Sequence, residues 1–320
     1  MAVAIFLLIA GLAILLLGGD IFVKGAASVA KRYGISPIVI GLTIVAFGTS
    51  APELVINIFS AVSGSSDIAM GNILGSNISN ILLVLGVSAM IRPLVVKPGT
   101  AWKEVPFGML ALVVLFLLGN DVMFGNHTKN ILTMGDGLVL ISFFIIFLYY
   151  TFGISKVKGD KAQVETFKLG ASISFIVGGA VCLTLGGKMM VDNAIILAKI
   201  AGLSELMIGL TITAIGTSLP ELVTSAIAAH RGQVDIAIGN VVGSNIFNIL
   251  WVLGITPMVS PMVLSPGVNS DIFVAIGAAV LLFVFMITNK QGKNYTMARW
   301  QGALFIGLYV LYTASVVFRG

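Results

Sequence analysis

The feature that most constrains this chain is an internal repeat. Residues 41–55 match residues 209–223 at 12 of 15 positions, and residues 67–86 match residues 235–254 at 15 of 20 positions. Both matches share one offset of 168 residues, without a gap between them. Self-similarity at a fixed offset indicates that one structural unit occurs twice, so the remaining segments are assigned in pairs. The chain is therefore predicted to consist of two homologous halves.

The composition places both halves in a membrane. The chain is 58% hydrophobic and 10% charged, with a mean hydropathy of +1.08, whereas soluble domains are about 25% charged. Apolar runs long enough to cross about 30 Å of hydrocarbon recur from end to end. We predict an all-α membrane protein with ten transmembrane helices, centred near residues 17, 50, 79, 110, 143, 185, 217, 246, 279 and 307.

The helix count predicts that the repeats are inverted. The first repeat covers residues 1–155, a short cytoplasmic linker covers 156–168, and the second repeat covers 169–320. Because each repeat holds five helices, an odd number, the second repeat enters the membrane from the opposite side. Transporters with inverted repeats bind their substrate near the bilayer midplane, on interrupted helices. We expect the two best-matched stretches to meet there.

The distribution of basic residues predicts the orientation. Loops after odd-numbered helices carry 13 Lys and Arg residues, and the other side, including both termini, carries 3. The positive-inside rule then puts both termini outside the cell. We expect a multi-pass protein of a prokaryotic cell membrane, in contact with membrane lipid. No nucleic acid is expected, since the net charge of +5 is scattered over loops. No obligate protein partner is expected.

Glu53 and Glu221 are the strongest candidate functional residues. They occupy equivalent positions about halfway along apolar helices, where an unpaired carboxylate costs at least about 2–3 kcal/mol. A structural ion pair is the alternative interpretation. However, no basic residue lies within either motif, and Lys24 and Lys188 have closer acidic candidates. A bound cation therefore explains the glutamates better.

Pro52 and Pro220 directly precede the two glutamates. An internal proline removes an amide donor and clashes with the carbonyl four residues earlier, so each helix is expected to open. Freed carbonyls are tolerated at membrane depth only beside a polar cavity or bound ions. A simple kink would explain the prolines but not the polar residues around them. The carbonyls predicted to lose helical partners belong to Ala46, Phe47, Gly48, Ala214, Ile215 and Gly216.

Small polar residues recur at helical spacing around the glutamates. Interhelical hydrogen bonding is the alternative explanation for them. From their helical spacing we expect Asn77 and Asn245 to point elsewhere, and we interpret them as structural. The candidate oxygen-bearing residues are Thr49, Ser50, Thr217 and Ser218 beside the glutamates, and Asn72, Ser76, Asn80, Asn240, Ser244 and Asn248 on the following helices.

These residues offer oxygen ligands alone, without a thiolate or imidazole. Hard cations prefer such ligands, and calcium takes six to eight oxygens in flexible geometry. Two glutamates balance the charge of one calcium ion, and sodium also suits hydroxyl and carbonyl oxygens. Competition between two ions for one cluster is what an antiporter requires.

With these motifs, the sequence resembles the calcium/cation antiporter superfamily. Each of that family's two repeats carries Gly-Thr-Ser-x-Pro-Glu and Gly-Asn-x-x-Gly-Ser-Asn signatures, and this chain has both signatures twice. The resemblance covers essentially the whole chain. The Thr-Ser pair before each glutamate is typical of the sodium/calcium exchanger branch, so we expect a prokaryotic sodium/calcium exchanger.

The resemblance implies which residues bind the transported ions. Potassium-dependent members have an aspartate where this chain has Asn248, so a potassium requirement is not expected. The short linker also lacks the large regulatory loop of animal exchangers. The implied ligands of calcium and sodium are Glu53, Glu221, Thr49, Ser50, Thr217, Ser218, Ser76, Ser244, Asn80 and Asn248, with the backbone oxygens of Ala46 and Ala214.

Two other functions were weighed against sodium-driven calcium exchange. Calcium/proton exchange is the main alternative, because desolvation favours protonation of an empty midplane glutamate. An ion channel fits less well, since paired carboxylates bind a cation too tightly for rapid passage. A membrane enzyme is not expected, because no nucleophile with an adjacent base is visible, and no cofactor is expected.

Overall fold

Long apolar helices dominate the structure. The computed structural model describes residues 1–125, 128–155, 165–202, 214–265, 267–292 and 294–319. Within these ranges, eight helices are long and apolar enough to cross a membrane. They are α1 (Ala2–Tyr33), α4 (Ser66–Ile91), α5 (Thr100–Leu118), α7 (Met134–Ile154), α8 (Leu169–Ile200), α11 (Val234–Val259), α12 (Val268–Thr288) and α13 (Arg299–Arg319). The chain is therefore a multi-pass membrane protein.

The remaining helices are bent or short. α2 (Pro37–Thr49) and α3 (Ala51–Val62) meet at 45° and together count as a ninth span. The predicted helix near residue 217 is described as α9 (Ala214–Thr217) and α10 (Leu219–His230), and the residues just before Ala214 lie outside the described ranges. α6 (Asp121–Phe124) is a single turn. The count of ten spans thus stays a prediction.

Two helices form the centre of the bundle. In the spanning window of α4, 78% of the residues are buried, and in α11 94%, compared with 28% in α1 and 22% in α8. Apolar side chains on the central pair, such as Ile73 and Val241, are fully buried. Because α4 and α11 carry the Gly-Asn-x-x-Gly-Ser-Asn motifs, the polar residues of those motifs lie in the interior.

α1 and α8 pack closely against each other at the edge of the bundle. A Cβ on Gly186 would lie 2.6 Å from the backbone nitrogen of Leu15, and a Cβ on Gly11 would lie 2.7 Å from that of Met190. Small residues allow such close backbone approach, which strengthens helix pairing in lipid. The two helices therefore form one tightly packed pair.

Short strands, which the all-helical prediction did not include, join the loops of the two halves. β1 pairs antiparallel with β5, which also pairs with β4, and β2 pairs antiparallel with β3. β1 and β3 are separated by the repeat offset, so equivalent loops pair in equivalent ways. The strands are β1 (Leu94–Val96), β2 (Asn130–Leu132), β3 (Met262–Leu264), β4 (Lys290–Gln291) and β5 (Asn294–Met297).

The predicted linker, residues 156–168, is described only from residue 165. Its last residues lie against α1, because the backbone N–H of Phe167 donates to the hydroxyl of Ser28 at 2.9 Å. Ser28 in turn bonds Ser172 of α8 at 2.9 Å. The start of the second half is thereby fixed to the first helix.

Candidate cation site

The helix that carries Glu53 breaks at Ser50. The backbone of Ser50 has φ −87° and ψ 5°, and Ser218 has nearly the same values, −87° and 4°. Pro52 then lies in the first turn of α3, where its missing N–H leaves no bond unmade. Glu53 lies in the same turn, where the positive end of the helix dipole favours a carboxylate. The same order of residues opens α10.

The break does not free the carbonyl of Ala46. The backbone N–H of Ser50 donates to that carbonyl at 2.9 Å, so the prediction that Ala46 loses its helical partner is wrong. The chain bends only after Ser50, and the bond closing the last turn of α2 therefore survives. At the second break, the N–H of Ser218 donates to the carbonyl of Ile215 at 3.1 Å, a tighter turn.

Glu53 and Glu221 are both fully buried. Ser76 donates to Oε1 of Glu53 at 3.4 Å, and Ser50 and Ser244 donate to Oε1 of Glu221 at 3.3 and 3.5 Å. Oε2 of each glutamate has no hydrogen-bond partner. Among the described residues, neither carboxylate pairs with Lys or Arg. Within the described ranges, these two buried acids are therefore left without a compensating charge.

The hydroxyls beside Glu53 reach across to the other half of the chain. Thr49 donates to Oδ1 of Asn240 at 3.0 Å and lies 3.3 Å from the hydroxyl of Ser244, while Ser50 bonds Glu221. The sequence predicted that these hydroxyls share a helical face with their own glutamate. The structure shows that they also complete the surroundings of the opposite glutamate.

A second layer of amides supports the backbone of the two glutamates. The side-chain amide of Asn72 donates to Oδ1 of Asn57 at 2.8 Å, and that of Asn240 donates to the hydroxyl of Ser225 at 2.9 Å. The same two amides lie 3.5 and 3.4 Å from the backbone carbonyl of the glutamate in their own half. Asn57 and Ser225, equivalent in the repeat, were missed by the sequence reasoning.

A network of four asparagines lies where α4 and α11 cross. Asn77 and Asn245 each donate to the other's backbone carbonyl at 3.3 Å. Asn80 donates to Oδ1 of Asn245, and Asn248 donates to Oδ1 of Asn77, both at 3.0 Å. Both helices turn from α to π geometry at this level, over Asn80–Val84 and Phe247–Val252, as often occurs at functional sites.

The remaining predicted residues lie near the second break. Ser218 is buried, and its hydroxyl has no hydrogen-bond partner. Thr217 is half-buried at the end of α9. Ala214 begins that helix, and its side chain lies outside the described residues. The structure thus buries the side chains of the implied ligands in the first half, and those of Glu221, Ser244 and Asn248, inside the helix bundle.

The chemistry of this region suits a cation. Its unpartnered buried atoms include Oε2 of both glutamates, Oδ1 of Asn80 and Asn248, and the hydroxyl oxygen of Ser218. A buried oxygen without a partner loses its hydration without a replacement. A hard metal ion supplies that replacement to several oxygens at once. The arrangement therefore offers buried oxygen ligands of the kind that hard cations prefer.

Known proteins resemble this chain over nearly its whole length. The sequence matches the family described as sodium/calcium exchanger protein over residues 3–153 and 171–318. It is 36% identical to the putative antiporter CaxA of Alkalimonas amylolytica over 98% of both chains. It is 31% identical to the sodium/calcium exchanger MaX1 of Methanosarcina acetivorans over 96% of both chains.

A solved structure has the same fold. The sodium-calcium exchanger NCX_Mj aligns with a TM-score of 0.84 at 31% identity, over 98% of this chain and 99% of that chain. A more distant relative is the Ca(2+)/H(+) antiporter ChaA of Bacillus subtilis, 27% identical over 85% of this chain and 81% of ChaA. The similar proteins thus include antiporters named for two different coupling ions.

Proposed function

Because this chain belongs to the sodium/calcium exchanger family, we propose that it exchanges calcium for sodium across the cell membrane by alternating access. One observation carries the proposal. Glu53 and Glu221 are fully buried, come from equivalent positions of the two halves, and each keep one oxygen without a partner. Calcium and sodium are the substrates of this reaction.

Charge explains how either ion could permit transport. Empty, the site holds two carboxylates at membrane depth, an arrangement that is costly unless cations or protons neutralise it. One calcium ion balances both charges, and sodium ions balance them individually. A ligand shifts a conformational equilibrium only through its differential affinity for the two states. An ion-loaded site therefore favours the passage between faces that an empty site resists.

The proposed ligand set keeps the sequence-based assignments. The Ala46 carbonyl accepts from the Ser50 N–H and lies 3.3 Å from the Thr49 hydroxyl, whose shorter bond goes to Asn240, so a cation would take its second lone pair. The set comprises Glu53, Glu221, Thr49, Ser50, Thr217, Ser218, Ser76, Ser244, Asn80 and Asn248, with the backbone oxygens of Ala46 and Ala214.

The proposed architecture is two inverted repeats of five helices, residues 1–155 and 169–320, joined by the linker 156–168. Three observations support it. Equivalent asparagines bond each other reciprocally, the strands β1 and β3 lie one repeat offset apart, and the family match falls into two segments. Reciprocal contacts between equivalent residues are typical of two-fold symmetry. The basic loops support a cytoplasmic linker and extracellular termini.

The test of sodium coupling is calcium flux in proteoliposomes. Vesicles loaded with sodium and diluted into sodium-free buffer at equal pH, with a protonophore present, should accumulate calcium. Calcium/proton exchange is the second candidate, supported by ChaA among the relatives and by the buried, protonatable carboxylates. Uptake that ignores sodium and requires a pH gradient would establish that alternative instead.

A further inference from the structure

We propose that Asn77 and Asn245 are positioning residues, which turn the side-chain oxygens of Asn248 and Asn80 towards the bound cation. This inference rests on the proposed function, since it takes the buried region to be a calcium site. The two asparagines come from equivalent positions of the Gly-Ser-Asn motifs and bond each other across the crossing of α4 and α11.

The orientation of the network follows from its backbone anchors. The carbonyls of Asn77 and Asn245 can only accept hydrogen bonds, so the side chain that reaches each carbonyl must present its NH₂ group. The Oδ1 atoms of Asn77 and Asn245 consequently point the other way. There they meet the amides of Asn248 and Asn80 at 3.0 Å.

This arrangement leaves one possible orientation for the side-chain amides of Asn80 and Asn248. Asn80 and Asn248 must present NH₂ to an accepting oxygen, because the reverse orientation would place two oxygens in contact. Their own Oδ1 atoms are therefore free, and both are buried without a hydrogen-bond partner. Reversing either amide would instead expose NH₂ hydrogens to the cation, which repel it.

The assignment is crossed between the two halves. Asn77, in the first half, orients Asn248 of the second, and Asn245 of the second half orients Asn80 of the first. A purely structural role in holding α4 against α11 would not distinguish these two partners. This pairing between the two halves therefore distinguishes a positioning role from a packing role.

A rescue experiment on calcium affinity tests this assignment. Asn77→Leu removes the acceptor that fixes Asn248, and we expect about tenfold weaker equilibrium binding of calcium to the purified protein, the lower end of the effects typical of outer-shell partners. In an Asn248→Asp background, Asn77→Leu should weaken binding less than about threefold. A carboxylate presents an oxygen to the ion in either orientation, so it needs no orienting partner.

Asn245→Leu is the matched control. It should still weaken binding about tenfold in the Asn248→Asp background, and only Asn80→Asp should rescue it. Asn77→Ala and Asn245→Ala remove the same acceptors without adding volume, and replace the leucine variants if those do not fold.

The outcomes separate this inference from the function on which it rests. Rescue of Asn77→Leu by Asn248→Asp alone, and of Asn245→Leu by Asn80→Asp alone, supports the positioning role. Rescue of both variants by one aspartate, or of neither by either, would overturn the positioning role while leaving calcium binding intact. A wild-type protein that binds no calcium would overturn the proposed function and this inference together.

Discussion

Glu53 and Glu221 lie in the interior of the helix bundle, and among the described residues no basic side chain pairs with either of them. A charge at this depth costs at least about 2–3 kcal/mol. The helix dipole, at the first turn of α3 and α10, offsets typically 0.3–1 kcal/mol of that cost. The dipole is therefore too weak to compensate either acid by itself.

Replacing either glutamate by glutamine should abolish exchange. Glu53→Gln and Glu221→Gln each remove one negative ligand while keeping a similar shape, and ligand charge sets calcium affinity. We expect sodium-driven calcium uptake in proteoliposomes to fall at least about a hundredfold in each variant.

Glu104→Gln is the control for that experiment. Glu104 is also a buried acid of a spanning helix, but it accepts a hydrogen bond from Tyr150 rather than from a site residue. Uptake should persist in this variant. Retained exchange in both Glu53→Gln and Glu221→Gln would refute the assigned site.

At this scale, the sequence indicated which residues are unusual for an apolar helix but not what they contact. The glutamates stand out because an acid in an apolar helix is costly, whatever the fold. Spacing, however, relates residues only within one helix. It could not show that Ser50 bonds Glu221, or that Asn77 bonds Asn245, because both contacts depend on how two helices from different halves cross.

At the scale of elements, proline explains the breaks in the two glutamate helices. A bend of 45° between α2 and α3 occurs at Ser50, two residues before Pro52. The position of the break was predictable because proline lacks the amide that would continue the helix. Which carbonyls it frees was not predictable, since the surviving bond from Ser50 to Ala46 depends on the local backbone angles.

The packing of α1 against α8 gives a second prediction. Gly186→Ala would place a Cβ 2.6 Å from the Leu15 backbone nitrogen, so the helices must separate. We expect a loss of about 1–3 kcal/mol in the free energy of unfolding, the usual cost of overpacking. The lowering of the thermal unfolding midpoint of the protein in detergent measures this loss of stability.

Gly178→Ala, in the same helix, is the matched control. Apart from its own helix backbone and chain neighbours, no atom of the described residues lies within 4 Å of the position its Cβ would occupy. Its stability should be unchanged or higher, because alanine favours a helix over glycine by up to about 1 kcal/mol. Equal destabilisation by both variants would contradict the close packing described for Gly186.

At the scale of the molecule, equivalent loops of the two halves pair through short strands. β1 pairs with β5 and β2 pairs with β3, linking the first half to the second at two places. The membrane class and the repeat were predictable because hydropathy and self-similarity extend over many residues. Three-residue strands carry too little pattern to predict, and their pairing depends on how the bundle brings the loops together.

The orientation gives the third prediction. In a Cys182→Ser background, Ser63→Cys, which follows α3, should react with a membrane-impermeant maleimide on intact cells. Gly99→Cys, in an open position before α5, should react only after the cells are permeabilised. The reason is the bias of basic residues towards the loops after the odd-numbered spans of the ten predicted, among which α2 and α3 together are the second and α4 is the third. The reverse labelling pattern would place both termini in the cytoplasm.

The position of a bound calcium ion in a crystal structure tests the central claim most directly. Anomalous scattering from crystals grown in calcium should place one ion between Glu53 and Glu221, about 2.3–2.6 Å from Oε2 of each. Transfer of the crystals to sodium should remove that calcium. Calcium bound elsewhere, with the two carboxylates apart or paired with basic side chains, would contradict the account.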